Sequence, residues 1–207
     1  NFLGTDTTIC QGDSFDLSAS FPGVTYLWQD NSTDSTFTVT QGGIYWVEIT
    51  LNGCTVSDTI NVSETIIDPS LGNDTAICIG SSFDLNAFNQ GASYLWQDNS
   101  TDSIYTVTQG GTYWVEVSKN GCLDSDTMNV TVLNPQPNFP NDTSFCQGDS
   151  ITLNAAYPGA TYLWQNGSTD SVFTAQQSGT YWVEVTAGSC VASDTIDVTE
   201  VSLNPDL

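Results

Sequence analysis

Histidine is absent from the 207 residues, and the basic residues come down to Lys119 alone, against 24 aspartates and glutamates and a formal net charge of -23. Without histidine there is no mixed Cys/His zinc site and no imidazole base for a serine or cysteine nucleophile. So strong an acidic excess also excludes nucleic acid and anionic membrane surfaces as partners. The scarcity of lysine and arginine removes trypsin-type cleavage sites. No apolar run is long enough for a membrane-spanning helix, so no membrane insertion is expected of this segment, and no stretch shows a helical period. The C-x-x-C spacing of zinc ribbons is missing too. Paired carboxylates, as in glycosidases, would have to recur in every repeat or break it, so the chain reads as no enzyme, with no catalytic residue and no required cofactor.

What is present is repetition. Cysteines fall at 10, 54, 78, 122, 146 and 190, so a spacing of 44 recurs and the pattern returns every 68 residues without insertion or deletion. Trp28, Trp96 and Trp164 keep one register, and Trp46, Trp114 and Trp182 another. Three domains are expected, at residues 1–67, 68–135 and 136–207. Asn1-Phe2-Leu3-Gly4 aligns with Pro69-Ser70-Leu71-Gly72, and Asn204-Pro205-Asp206-Leu207 stands where another start would follow, so the sequence reads as a window on a longer array. Its first partners would be neighbouring repeats of that same chain.

Matched cysteines point to disulfides in an oxidising, extracellular setting. Cys10–Cys54, Cys78–Cys122 and Cys146–Cys190 is the scheme that closes every repeat identically and leaves no cysteine over. Its rival joins Cys54 to Cys78 across a boundary, and connectivity is not fixed by sequence alone.

Within one repeat the pattern is that of strands. Phe15, Leu17 and Ala19 alternate with polar neighbours, as do Tyr26-Leu27-Trp28, Phe37-Thr38-Val39, Tyr45-Trp46-Val47-Glu48-Ile49 and Ile60-Asn61-Val62. Pro22-Gly23, Asp30-Asn31-Ser32, Gln41-Gly42-Gly43 and Asn52-Gly53 mark turns. The expected fold is all-β: three tandem, small, Ig-like antiparallel β-sandwich domains with one disulfide each. The short connectors Ile67-Asp68-Pro69-Ser70 and Asn134-Pro135-Gln136-Pro137 predict a semi-rigid line of domains.

Trp28 stands where an immunoglobulin-type domain carries its core tryptophan, and Gly43-Ile44-Tyr45-Trp46-Val47 resembles the tyrosine-corner stretch, making Tyr45, Tyr113 and Tyr181 the corner candidates. The whole unit is more closely similar to the Ig-like or PKD-like repeats of large Bacteroidota surface proteins. The motifs are Gly-Asn-Asp-Thr-x-x-Cys at 72 to 78, Tyr-Leu-Trp-Gln-Asp-Asn-Ser-Thr-Asp-Ser at 94 to 103, Thr-Tyr-Trp-Val-Glu-Val at 112 to 117 and Ser-Asp-Thr-Met-Asn-Val at 125 to 130. That family is related to gliding-motility adhesins and exported by the type IX system. The resemblance implies a stalk or adhesive filament at the cell surface; glycans or other surfaces are the expected partners, and rods with a repeated outward tryptophan are expected to associate laterally into filaments.

Three local features carry the site expectations. Asp30 and Asp34, repeated as Asp98 and Asp102, place oxygen side chains at alternate positions like the opening of a calcium loop. The following glycine and the distal glutamate are missing, and a polar hairpin with Asx turns explains the same residues. Trp46, Trp114 and Trp182 are expected to face outward beside Leu27, Leu95 and Leu163, as contact candidates for a neighbouring domain, another fibre or a sugar. The resemblance also implies O-glycosylation at Asp-Ser/Thr-apolar triplets, whose candidates are Thr7, Ser35, Thr59, Thr75, Ser103, Thr127, Ser150, Ser171 and Thr195. The alternative to a spacer is a carbohydrate- or calcium-binding module with a specific ligand.

Overall fold

The structure, a computed structural model, describes residues 1–202. The Asn204–Leu207 stretch read above as the edge of a further repeat lies outside them. All regular structure among the described residues is strand. Six strands form in each repeat. The first has β1 (Thr7–Cys10), β2 (Phe15–Ser18), β3 (Thr25–Trp28), β4 (Thr36–Val39), β5 (Gly43–Leu51) and β6 (Cys54–Thr65). The second has β7 (Thr75–Cys78), β8 (Phe83–Asn86), β9 (Ser93–Trp96), β10 (Ile104–Val107), β11 (Gly111–Lys119) and β12 (Cys122–Leu133). The third has β13 (Thr143–Cys146), β14 (Ile151–Asn154), β15 (Thr161–Trp164), β16 (Val172–Ala175), β17 (Gly179–Ala187) and β18 (Cys190–Val201). Each set builds a four-stranded sheet, β1-β6-β5-β3 and its equivalents, and a two-stranded one, β2-β4 and its equivalents. The chain is therefore three repeated Ig-like β-sandwich units.

By compactness the chain divides into two units. One holds Asn1–Leu71, Leu85–Tyr105 and Trp114–Thr127; the other holds Gly72–Asp84, Thr106–Tyr113 and Met128 onward. Repeat 1 thus lies in the first unit and repeat 3 in the second, with the strands of repeat 2 shared out between them.

The core follows from the two-residue period of the strands. Leu17, Trp28, Val39, Val47, Ile60 and Val62 turn inward and are buried, as are Leu153, Trp164, Val183, Ile196 and Val198 of repeat 3. The expected core tryptophan is the largest of these. Trp28 is fully buried, its Nε1–H donates to the Asp34 carbonyl at 2.8 Å, and Phe37 lies 5.2 Å from its ring. Trp96 and Trp164 do the same with the Asp102 and Asp170 carbonyls. The tyrosine corner forms as well: the hydroxyls of Tyr45, Tyr113 and Tyr181 donate to the carbonyls of Gln41, Gln109 and Gln177, each at 2.8 Å. Because Trp164 fills the centre of its core, Trp164→Ala is expected to cost about 3–5 kcal/mol, read by denaturant unfolding.

The disulfide expectation is overturned. Cys10 bonds Cys122 and Cys78 bonds Cys190, each across 112 residues, while Cys54 and Cys146 are free. Neither the pairing of Cys10 with Cys54, Cys78 with Cys122 and Cys146 with Cys190 nor its Cys54–Cys78 rival is made, and there is no disulfide closed within a single repeat among the described residues. The reason is strand direction. β1 runs parallel to β6 with Cys10 beside Thr65, the last residue of β6, whereas Cys54 is the first. Eleven residue steps at about 3.3 Å separate the ends of β6 by about 36 Å, and a disulfide spans Cα atoms no more than about 7 Å apart. Cysteines of one repeat therefore sit at opposite ends of the same sheet, the first within reach of the following repeat and the second within reach of the preceding one.

Candidate functional site: the stapled junctions

Each junction is built from the C-terminal end of one repeat's long sheet and the N-terminal end of the next. In the first unit, Gln11 N–H donates to the Thr65 carbonyl at 3.0 Å, so β1 stays on β6 up to its end and holds Cys10 at the edge of the repeat. Cys122 opens β12, directly after the Asn120-Gly121 turn, in which both residues have positive φ. That turn presents Cys122 to Cys10, with 5.5 Å between Cα atoms. Around the bond the contacts are polar. Thr65 is only 5 % exposed, and its hydroxyl accepts from Asn120 Nδ2 at 3.3 Å. Asp68 N–H donates to Asn89 Oδ1 at 3.0 Å, and Asn89 Nδ2 returns a bond to the Asp68 carbonyl at 2.9 Å.

The second unit repeats the plan with apolar pieces. Ile79 N–H donates to the Leu133 carbonyl at 2.9 Å and sets Cys78 against Cys190, with Cα atoms 5.4 Å apart. Leu133 takes the place of Thr65 and lies against Gly188, where its Cδ1 would stand 3.3 Å from an added Cβ. Asn134 N–H donates to the Tyr157 hydroxyl at 3.2 Å. Cys122 and Cys190 are 5 % and 3 % exposed, whereas Cys54, in the same register of repeat 1, is exposed.

A further device locks each linker to the repeat it enters, and sequence reasoning read its residues only as glycosylation triplets. Asp126 Oδ2 accepts from Leu71 N–H at 2.7 Å, Asp194 Oδ2 from Phe139 N–H at 2.7 Å, and Asp58 Oδ2 from Leu3 N–H at 2.7 Å and from Phe2 N–H. The other oxygen of each accepts from the next residue's N–H, in Thr59, Thr127 and Thr195. The signal was visible as an aspartate recurring every 68 residues, 55 residues beyond the linker it holds. Burial pushes the Asp58 carboxyl up, but the hydrogen bonds from Leu3, Phe2 and Thr59 and the charge of the chain's amino terminus outweigh it and hold the group below its ordinary value. A group held low stabilises the fold above the ordinary carboxylate pKa, and the contribution fades as pH falls through the lowered value. Acid below about pH 4 should therefore loosen the clamp; the Leu3 amide, followed by NMR, is expected to titrate with a midpoint under about 3.9, and one at or above it would contradict the clamp.

Threonines 59, 127 and 195 of the triplets are exposed, and Ser35, Ser103 and Ser171 are half-buried, with carbonyls that accept from Ala19, Ala87 and Ala155. Thr7 lies on β1, Thr75 on β7 and Ser150 just before β14. Trp114 and Trp182 are 38 % and 40 % exposed, and Trp46 is half-buried. Trp46 pairs with Thr59 across β5 and β6, and Trp182 with Thr195 across β17 and β18, so these candidates share the outward face of the long sheet with Leu27 and Leu163. In the loop once compared with a calcium site, Asp30 Oδ1 and Asp98 Oδ1 each accept from the N–H two residues on, at 2.9 Å, and Asn166 Oδ1 does the same at 3.0 Å. An uncharged side chain makes the same turn, which is Asx-turn chemistry. The carbonyls of Asp34 and Asp102 are taken by the core tryptophans. Among the described residues no three His, Cys, Asp or Glu side chains converge to hold a metal ion.

No protein-family model matches the chain, and no curated protein matches it. Solved structures do. An I-band fragment from titin is 11 % identical with a TM-score of 0.42, covering 95 % of this chain and 96 % of that one. An E-to-A variant of the same three titin Ig domains is 12 % identical with a TM-score of 0.44, covering 97 % and 96 %. Extracellular domains 3–5 of Drosophila OTK are 12 % identical with a TM-score of 0.36, covering 96 % and 94 %. These values are too low to decide anything beyond what the strand order of each repeat already establishes. No helix among the described residues is long and apolar enough to cross a membrane. Two formed disulfides belong with an oxidising, extracellular setting.

Proposed function

We propose that this chain is an extracellular structural and adhesive segment whose repeats are tied to one another covalently so that tension passes along it without unravelling it. The observation that carries this reading is the pair of disulfides joining consecutive repeats, Cys10–Cys122 and Cys78–Cys190. Each junction is crossed twice, once by the linker and once by the staple. A spacer held only by its linkers has no use for the second connection. The acidic surface, with one base against 24 acids, keeps such chains soluble and mutually repelling.

The finer reading is a stalk or filament of a Bacteroidota surface protein related to gliding-motility adhesins, supported by the motif resemblance that covers the whole chain. Exposed Thr59, Thr127 and Thr195 would carry a glycan coat beside the outward tryptophans and shield that face from strand-to-strand association. The test is mechanical. Replacing Cys10 and Cys122 by serine in the native protein should leave display on intact cells unchanged but reduce the cells' retention on a surface under flow. Equal retention at every shear would remove the tension-bearing role.

A further inference from the structure

Cys54 and Cys146 are both exposed and both without a bond. Their register equals Cys122 and Cys190, and Cys10 and Cys78, are all bonded, always from the late end of one repeat to the early end of the next. Beside Cys54 the early end of repeat 1 is an uncovered apolar groove of about 440 Å³, lined by Phe21, Pro22, Val24, Leu51 and Val56. Phe21, Leu51 and Val56 are 43 %, 47 % and 56 % exposed.

The matching positions in the other repeats show what belongs there. Repeat 2 has Asn89, Lys119 and Asp124 in place of Phe21, Leu51 and Val56, and the residue that meets this polar end is Thr65. Repeat 3 has Tyr157, Ala187 and Ala192, and the residue that meets this more apolar end is Leu133, against Gly188. The third residue of that register is Val201, which closes β18, is 45 % exposed and stands level with Cys146 in the parallel pairing. An apolar residue beside a free late cysteine therefore matches an apolar groove beside a free early cysteine.

We propose that the groove beside Cys54 receives the Cys146–Val201 end of a second copy of this chain, and that a Cys54–Cys146 disulfide then joins the copies head to tail. The two surfaces differ, so the contact is heterologous and extends by repetition. The inference rests on the same staple as the proposed function but not on any role at a cell surface. Bond formation needs an oxidant of the small-molecule disulfide class. The Cys146 thiolate attacks oxidised glutathione, forming a mixed disulfide and releasing one glutathione; the Cys54 thiolate then attacks the Cys146 sulfur and releases the second. Two protein thiols give up two protons and two electrons, and one disulfide becomes two glutathione thiols.

The experiment uses two variants of the 207-residue chain, Cys54→Ser, which keeps Cys146, and Cys146→Ser, which keeps Cys54. In a glutathione redox buffer each alone is expected to stay monomeric, and the mixture to give a dimer containing the Cys54–Cys146 peptide, while the unaltered chain gives a ladder on a non-reducing gel. Leu51→Asp in the Cys146→Ser chain should slow dimer formation at least tenfold and leave Cys10–Cys122 formed. Homodimers as fast as the heterodimer, or thiols that stay free in the mixture, would overturn the proposal. Recovery of Cys10–Cys122 and Cys78–Cys190 in those same samples shows that only head-to-tail joining has failed; their absence shows that the staple itself has.

Discussion

Pulled from its two termini, the oxidised chain is expected to stop at about 250 Å even when fully unfolded, and the reduced chain at about 720 Å, taking about 3.5 Å per extended residue. The difference follows from covalent topology. With Cys10 bonded to Cys122 and Cys78 to Cys190, the shortest covalent path through the chain uses residues 1–10, 78–122 and 190–207, about a third of the total. Residues 11–77 and 123–189 lie in closed loops that tension cannot open. Disulfides closed within each repeat would shelter a different set, residues 11–53, 79–121 and 147–189, and leave a contour of about 270 Å through three separate events. Reduction therefore measures how much chain is locked, and selective loss of one staple tells the schemes apart. Cys122→Ser alone should release residues 11–77, lengthening the oxidised contour by about 80 Å, to a path through residues 1–78 and 190–207, whereas Cys54→Ser should lengthen it by nothing.

The second large effect is on stability. Each staple closes a sequence separation of 112 residues, for which the chain-entropy account gives about 5 kcal/mol. For a body of 150–250 residues each kcal/mol moves the midpoint by about 2–4 °C, so the double change Cys10→Ser with Cys122→Ser is expected to lower the melting temperature of repeats 1 and 2 by about 10–20 °C. Cys54→Ser and Cys146→Ser, which remove exposed, unbonded thiols, should leave the monomer's midpoint within about 2 °C. Calorimetry of the three variants separates these outcomes, and a large loss on changing Cys54 alone would return the bond to a single repeat.

Much of the architecture was legible in the sequence because it depends on local pattern. The alternation at Phe15–Ala19 and Tyr45–Ile49 reports burial on one face, and Trp28 and Tyr45 stand at fixed offsets from their turns, so core and corner could be placed. The staple was not legible, for a physical reason. Six evenly repeated cysteines fit several schemes, and the choice depends on whether β1 lies parallel or antiparallel to β6, which no residue announces. One clue was there. Cys54, Val56, Ile60 and Val62 keep one two-residue register, and a twelve-residue strand holds its ends too far apart for Cys54 to reach anything beside Thr65. Asp58, Asp126 and Asp194 were overlooked as clamps because an aspartate before a threonine is ordinary turn chemistry, and their partners lie 55 residues away.

All of this turns on which cysteines are joined. Digestion of the native, unreduced chain at acid pH, which prevents exchange between disulfides, followed by mass spectrometry of the linked peptides, reads the pairing directly. The account predicts peptides joining Cys10 to Cys122 and Cys78 to Cys190; peptides joining Cys10 to Cys54 and Cys78 to Cys122 would contradict it.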